Sequence, residues 1–189
     1  MIKVDERKRS GEERRRILLQ WLKESEEPLT GQILAEKLNV SRQVIVQDIS
    51  LLKAKNEPII ATAQGYVYLR EKESAHSFKR IIACNHTPAQ TEAELNLIVD
   101  HGVFIRDVII EHPIYGEMTA SLVIKNRRDV KQFIQKMEDS KASYLSDLTE
   151  GTHLHTLEAD TIEQLDEVCL AFKKAGFLLE KENESEVNP

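Results

Sequence analysis

Hydrophobic positions in the first third of the chain recur at helical spacing. Ile17, Leu18, Trp21 and Leu22 form one stripe between Glu12 and Glu27, just after the basic run Arg14, Arg15 and Arg16, and predict an amphipathic helix. In "PLTGQILAEKLNV", Thr30 stands as N-cap with Leu29 and Leu34 as a hydrophobic staple. "VSRQVIVQDISLLK" repeats the device with Ser41 as cap and Val40 and Ile45 as staple. Two short capped helices joined by "LNVS" make a helix-turn-helix. The pattern then changes: "EPIIATAQGYVYLRE" predicts a β-hairpin, with strands Ile59–Thr62 and Tyr66–Leu69 around a tip that contains Gly65. Three helices followed by such a hairpin predict a winged helix.

From Lys79 the pattern is mixed. "KRIIACNH" predicts a strand and "TPAQTEAELNLIVDHG" a helix, with Thr87 as N-cap, Pro88 at the first helical position, Gln90 completing a capping box and Gly102 as the stop. "VFIRDVIIEHP" and "GEMTASLVIK" predict two strands joined by a turn around "PIYG". The helix "RRDVKQFIQKMED", the strand "HLHTLEA" and the helix "TIEQLDEVCLAFKKAG" complete a β-α-β-β-α-β-α order. Hairpin-linked strands in this order predict helices on one face of a mainly antiparallel sheet, a two-layer α+β domain. The domain expectation is therefore residues 1–70 as winged helix-turn-helix, 71–78 as linker, 79–180 as the α+β domain, and 181–189 as acidic tail.

Charge supports that division. The chain of 189 residues carries −6 overall, but Lys and Arg number 13 against 10 Asp and Glu over residues 1–70, and 13 against 22 over residues 71–189. A basic first part and an acidic second part imply different partners. No run approaches the length of a membrane span and the start lacks an apolar signal segment, so a cytoplasmic protein with no membrane partner is expected. Cys84 and Cys169 sit among apolar neighbours in "RIIACN" and "DEVCLAF", the pattern of reduced core thiols.

In the third helix, Val44, Ile45, Ile49 and Leu52 take the core side, which leaves Arg42, Gln43, Gln47 and Ser50 outside. Such side chains read base edges and phosphates in the major groove. The lesser alternative is a solvated face of a protein-interaction module. The stretch "LAEKLNVSRQVIVQDISLL" resembles the biotin-repressor type of bacterial winged-helix domain, which implies double-stranded DNA as partner. A net charge of +3 over residues 1–70 is modest for such a partner, so a homodimer that doubles the phosphate contacts is expected.

His153 and His155 stand two apart in a predicted strand, so both rings lean to one face roughly 7 Å apart. The pair is either surface decoration or two ligands of one ion. If that strand runs beside the strand 79–86, then His86 at its end and Glu94 on the flank of the next helix converge on it. Three imidazoles and a carboxylate suit zinc, nickel or iron(II). In "EHPIYGE", His112 either caps a strand end before Pro113 or contacts a ligand. His76 falls in the linker and His101 near a helix C-terminus, where a cationic ring is mildly favoured.

The combination of "CNHTPAQTEAEL", "IIEHPIYGE" and "EGTHLHTLEA" resembles the three-histidine domain, and its fusion to a winged helix resembles the niacin-responsive transcriptional repressors, from about Arg14 to Gly176. The resemblance implies a histidine-containing-phosphocarrier-like α+β fold. It implies one divalent transition metal per chain, nickel or zinc with iron as a third choice, held by His86, Glu94, His153 and His155. It also implies nicotinic acid as corepressor at operator DNA of NAD biosynthesis and niacin uptake genes. A small carboxylate suits an open position on the metal, with His112, Tyr115 and Arg106 as candidate contacts. Two other readings stay open: a metal-dependent enzyme with a DNA-binding arm, which an open metal position would allow, and a repressor that senses the metal ion itself. A nucleotide loop, a Ser-His-Asp set and a Cys-His pair are all missing from the sequence, which favours a regulator over an enzyme.

Overall fold

A computed structural model describes residues 10–69 and 78–179. The chain divides into two compact units, Met1–Glu73 and Ser74–Pro189. The expected linker over 71–78 lies outside the described residues except for Phe78, which opens a strand, and the expected tail over 181–189 and His76 also lie outside them.

The first unit holds α1 (Gly11–Glu24), α2 (Gly31–Leu38), α3 (Arg42–Ala54) and a hairpin of β1 (Ile59–Ala61) and β2 (Tyr66–Tyr68). Side chains cap all three helices. Ser10 accepts from the Glu13 N–H, Thr30 from Ile33 and Ser41 from Val44, each satisfying a donor that the first helical turn leaves free. α1 ends three residues sooner than its apolar stripe predicts. Ser25 is already extended, and Pro28 disfavours helical geometry in the residue before it. Leu18, Leu22, Leu34, Leu38, Ile45, Ile49, Leu52 and Ile59 form the core. The hairpin is fastened to the α1–α2 connection by a pair of backbone hydrogen bonds between Leu29 and Tyr66, at 3.0 and 2.8 Å. That approach requires Gly65, whose φ is +148° and where a Cβ would lie 2.7 Å from the Leu29 carbonyl.

The second unit follows the predicted order: β3 (Phe78–Asn85), α4 (Thr91–Asp100), β4 (Phe104–His112), β5 (Gly116–Ile124), α5 (Arg127–Ser140), β6 (Thr152–Ala159) and α6 (Ile162–Ala175). The sheet order is β3-β6-β4-β5, and every neighbouring pair is antiparallel. Period-two burial along β6 puts His153, His155, Leu157 and Ala159 on the covered face, and α4 and α6 pack over the sheet. On the other face Ile81 is 59% exposed.

Two details depart from the sequence pattern. The helix expected from Thr87 begins as a 3₁₀ turn, Pro88–Gln90, in which the Gln90 carboxamide oxygen accepts from both the Thr87 N–H and its hydroxyl, and the α-helix starts at Thr91. Glu94 is therefore in the first turn of α4 instead of two turns along. A carboxylate there also faces the positive end of the helix dipole. The second departure is a β-bulge in β4 between Ile105 and Asp107, which shifts the register against both neighbours.

Candidate metal centre and DNA-reading helix

The second unit gathers His86, Glu94, His153 and His155 in its interior. The pairing of β3 with β6 puts Cys84 opposite His153 and Ile82 opposite His155, and His86 follows at the end of β3. α4 then lowers Glu94 between the rings. All four are buried, with Glu94 only 1% exposed.

Each ring is oriented by a backbone carbonyl behind it. His86 Nδ1 lies 2.9 Å from the Thr87 oxygen, His153 Nδ1 lies 2.8 Å from Gly151, and His155 Nδ1 lies 2.7 Å from Asp107. A carbonyl only accepts, so each Nδ1 carries the hydrogen and each neutral ring turns a bare Nε2 inward. Local irregularities supply those carbonyls. At the bulge, the Asp107 carboxylate accepts the Thr156 N–H at 3.1 Å, and the Asp107 carbonyl serves His155. Gly151, with φ +90°, brings the start of β6 so close that a Cβ there would sit 2.4 Å from the His86 carbonyl oxygen.

The three Nε2 atoms converge on one carboxylate. His86 Nε2 stands 2.7 Å from Glu94 Oε2, His153 Nε2 stands 3.2 Å from Oε1, and His155 Nε2 stands 3.5 Å from Oε2. Although so close, His86 Nε2 makes no aligned hydrogen bond and is a buried, unsatisfied atom. Lone pairs aimed at a carboxylate need a positive charge between them. Three imidazolium rings around one carboxylate would leave a buried excess of charge, which is costly. A divalent cation among neutral rings answers the same need. Donors bound at ~2.0–2.2 Å in a tetrahedron stand roughly 3.3–3.6 Å apart, and the separations from the Glu94 oxygens run from 2.7 Å up to 3.5 Å.

Without an ion, the rings themselves are drawn toward positive charge at the same place. Burial disfavours a charged His86, but contact with Glu94, its charge and the Thr87 carbonyl outweigh burial and raise the pKa. For His155 burial again opposes, and the Glu94 charge, contact with Glu94 and the Asp107 carbonyl win against a small repulsion from His86. Glu94 is pushed upward by burial, yet the charge of His155 and contact with the three rings hold it well below the usual carboxylate range.

The sequence pattern did not single out Cys84 at this site. Its sulfur, a Glu94 oxygen and a His153 ring nitrogen all lie within 4.8 Å of one another, a buried group that could hold a metal ion. An "ACNH" string looks like an ordinary buried strand. Only the register of β3 against β6 reveals which face the thiol shares. Cys169 is half-buried and accepts from Arg80 at 3.4 Å.

Beside His86 opens a cleft of about 370 Å³, lined by Asn85, Thr87, Pro88, Gln90, Asp147, Glu150 and Gly151. The three residues expected to contact a ligand lie elsewhere on the sheet. His112 Nδ1 accepts from the N–H groups of Ile114 and Tyr115 and so caps the β4–β5 turn, where Tyr115 is 75% exposed. Arg106 is paired with Glu158 at 2.6 Å.

In the first unit, α3 presents Arg42, Gln43, Gln47 and Ser50 to solvent opposite Ile45 and Ile49. Ser50 donates its hydroxyl hydrogen to the Val46 carbonyl at 2.8 Å, so it can face DNA only as an acceptor. Between the two faces sits a feature the sequence did not announce. Asp48 on α3 is buried and is gripped by Arg14, through Nε and Nη2, and by Arg15 from α1. Two arginines of the basic run are thus structural.

Residues 79–181 match the 3H domain, and residues 14–67 match the HTH domain. The chain belongs to the 3H-domain family. It is similar to the transcription repressor NadR of Bacillus subtilis (strain 168), 56% identical over 177 residues that cover 93% of this chain and 98% of that protein. It is also similar to the probable transcription repressor NiaR of Thermotoga maritima, 40% identical over 170 residues that cover 90% of this chain and 95% of that one. The protein is a transcription repressor of this kind with a DNA-binding HTH domain, a regulator and not an enzyme. The metal-dependent enzyme reading is thereby removed. No helix among the described residues is long and apolar enough to cross a membrane.

Proposed function

We propose that the chain is a niacin-responsive repressor in which residues 1–70 bind operator DNA of NAD biosynthesis and niacin uptake genes, and residues 79–180 bind a divalent metal and nicotinic acid as corepressor. The observation that carries this reading is the convergence of three carbonyl-anchored imidazoles on Glu94 in a chain that also bears a DNA-binding HTH domain. His86, Glu94, His153 and His155 would hold the ion, nickel or zinc with iron as a third choice. When bound it supplies a Lewis-acidic position for a small carboxylate.

The cleft that borders His86 is the proposed approach of such a ligand. Thr87, Pro88 and Gln90 in its lining would receive the pyridine ring, with the carboxylate toward the metal and away from the lining carboxylates Asp147 and Glu150. His112, Tyr115 and Arg106 are the alternative contacts. Arg42, Gln43, Gln47 and Ser50 are proposed to face the operator, in a cytoplasmic homodimer whose two reading helices match a two-fold site.

A second reading, in which the metal ion itself is the signal, draws on the burial of all four ligands. One experiment separates the two: operator binding is followed while nicotinate is varied at fixed metal, and then while metal is varied without nicotinate. The corepressor reading expects tightening in the first series and little in the second. Tightening by metal alone makes the ion the signal.

A further inference from the structure

We propose that Cys84 is a positioning residue of the metal centre, its thiol donating a hydrogen bond to the Glu94 oxygen that the metal leaves free. This rests on the metal reading above. The placement comes from strand register: Cys84 is the cross-strand partner of His153, so the sulfur lies on the ligand face, and it is fully buried there. Sulfur, Glu94 oxygen and His153 nitrogen lie within 4.8 Å of one another.

Reach decides what the sulfur does. It stands one bond beyond its Cβ, whereas an imidazole Nε2 stands three bonds beyond. On a shared face the rings therefore meet above the sheet, and the thiol sits beneath the carboxylate and not beside the ion.

The outer contacts of the site point the same way. A well-held metal ligand has a partner behind it. The three rings have theirs in the carbonyls of Thr87, Gly151 and Asp107. Glu94 has two oxygens, and a metal takes one. Among the described residues, the further group that the fold brings to this carboxylate beyond the ligand imidazoles is Cys84. An S–H is a donor, and a hydroxyl at the same place would serve as well.

The test compares zinc affinity, by competition with a chromophoric chelator, in the wild-type chain, Cys84→Ala and Cys84→Ser. Loss of an outer partner weakens metal binding by about 10–100-fold, so Cys84→Ala should fall in that range and Cys84→Ser should recover most of it. Equal affinity in wild type and Cys84→Ala overturns the proposal. Cobalt(II) in the wild-type chain should give ligand-field bands without sulfur-to-metal charge transfer, and a charge-transfer band would overturn the proposal in favour of direct ligation. If Cys84→Ala does not fold, infrared spectroscopy of the wild type decides. The Cys84 S–H stretch should shift on zinc loading while that of Cys169 stays fixed, and an unmoved stretch overturns the proposal. A wild-type chain that takes up no zinc or cobalt fails at the metal reading itself, and the role of Cys84 falls with it.

Discussion

At the scale of single residues, the groups that shape the site are often not the ones that would touch an ion. Gly151 is the sharpest case. Its φ of +90° and the 2.4 Å that a Cβ would leave to the His86 carbonyl together mean that a methyl group must push β6 away from His86. Gly151→Ala should therefore destabilise the fold by about 1–3 kcal/mol and also weaken metal binding. Gly116→Ala is the matched control, since it shares a positive φ of +69° but has nothing within 4 Å. Urea melts and zinc titrations of both variants check this. Similar losses in the two would mean that backbone conformation alone matters at Gly151. Asp107 gives a second residue-scale expectation. Without its carboxylate the Thr156 N–H must reclaim a backbone oxygen, which takes the anchor from His155. Asp107→Ala should lower metal affinity by about 10–100-fold in the wild-type chain, yet change little more when added to His155→Ala. Additive losses in the double variant would separate Asp107 from His155. Neither residue was legible in the sequence: a bulge and a close backbone approach are properties of paired strands, and a linear pattern records only one of the two.

Elements were far more legible than their interactions. The caps at Thr30 and Ser41, the hairpin around Gly65 and the alternation of β6 are each encoded within a few residues, so local chemistry was enough. The early end of α1 and the 3₁₀ start before α4 escape the pattern because apolar periodicity does not register where a proline or a local turn competes. The Arg14, Arg15 and Asp48 cluster escapes it for another reason. A basic run reads as a DNA-facing patch until α3 is docked on α1. Its consequence divides α3 into two functional sides. Asp48→Ala should cost about 3 kcal/mol in urea unfolding, the lower end for breaking a buried pair, because Arg14 keeps 16% exposure. Arg42 and Gln47 lie on the exposed face, clear of that cluster, and Arg42→Ala and Gln47→Ala should leave that midpoint alone. They should weaken operator binding by about 1–3 kcal/mol for each base edge no longer read. Normal operator affinity in both would return α3 to the role of a protein-interaction surface.

At the scale of the whole molecule, the reversal of charge along the chain and the change of hydrophobic period near residue 79 made the order of elements readable, while the convergence of His86, Glu94, His153 and His155 depended on one conditional, that β6 lies beside β3. What a repressor needs beyond that is coupling. A ligand shifts an equilibrium only by the difference in its affinity for the two states, so nicotinate acts as corepressor only if it binds the DNA-competent arrangement more tightly. Linkage makes the effect mutual: whatever factor nicotinate contributes to operator affinity, operator DNA must return to nicotinate affinity, and typical couplings of ~1–3 kcal/mol correspond to roughly 5–150-fold. Calorimetric titration of nicotinate into the metal-loaded protein, alone and on saturating operator, should give two dissociation constants whose ratio equals the shift in operator affinity measured independently. The same pair of titrations on Cys84→Ala should show weaker nicotinate binding in both arms if Glu94 sets the open metal position. The ratio should be preserved if coupling runs through the arrangement of the two units and not through the site. A ratio of one in the wild-type chain would exclude nicotinate as the corepressor.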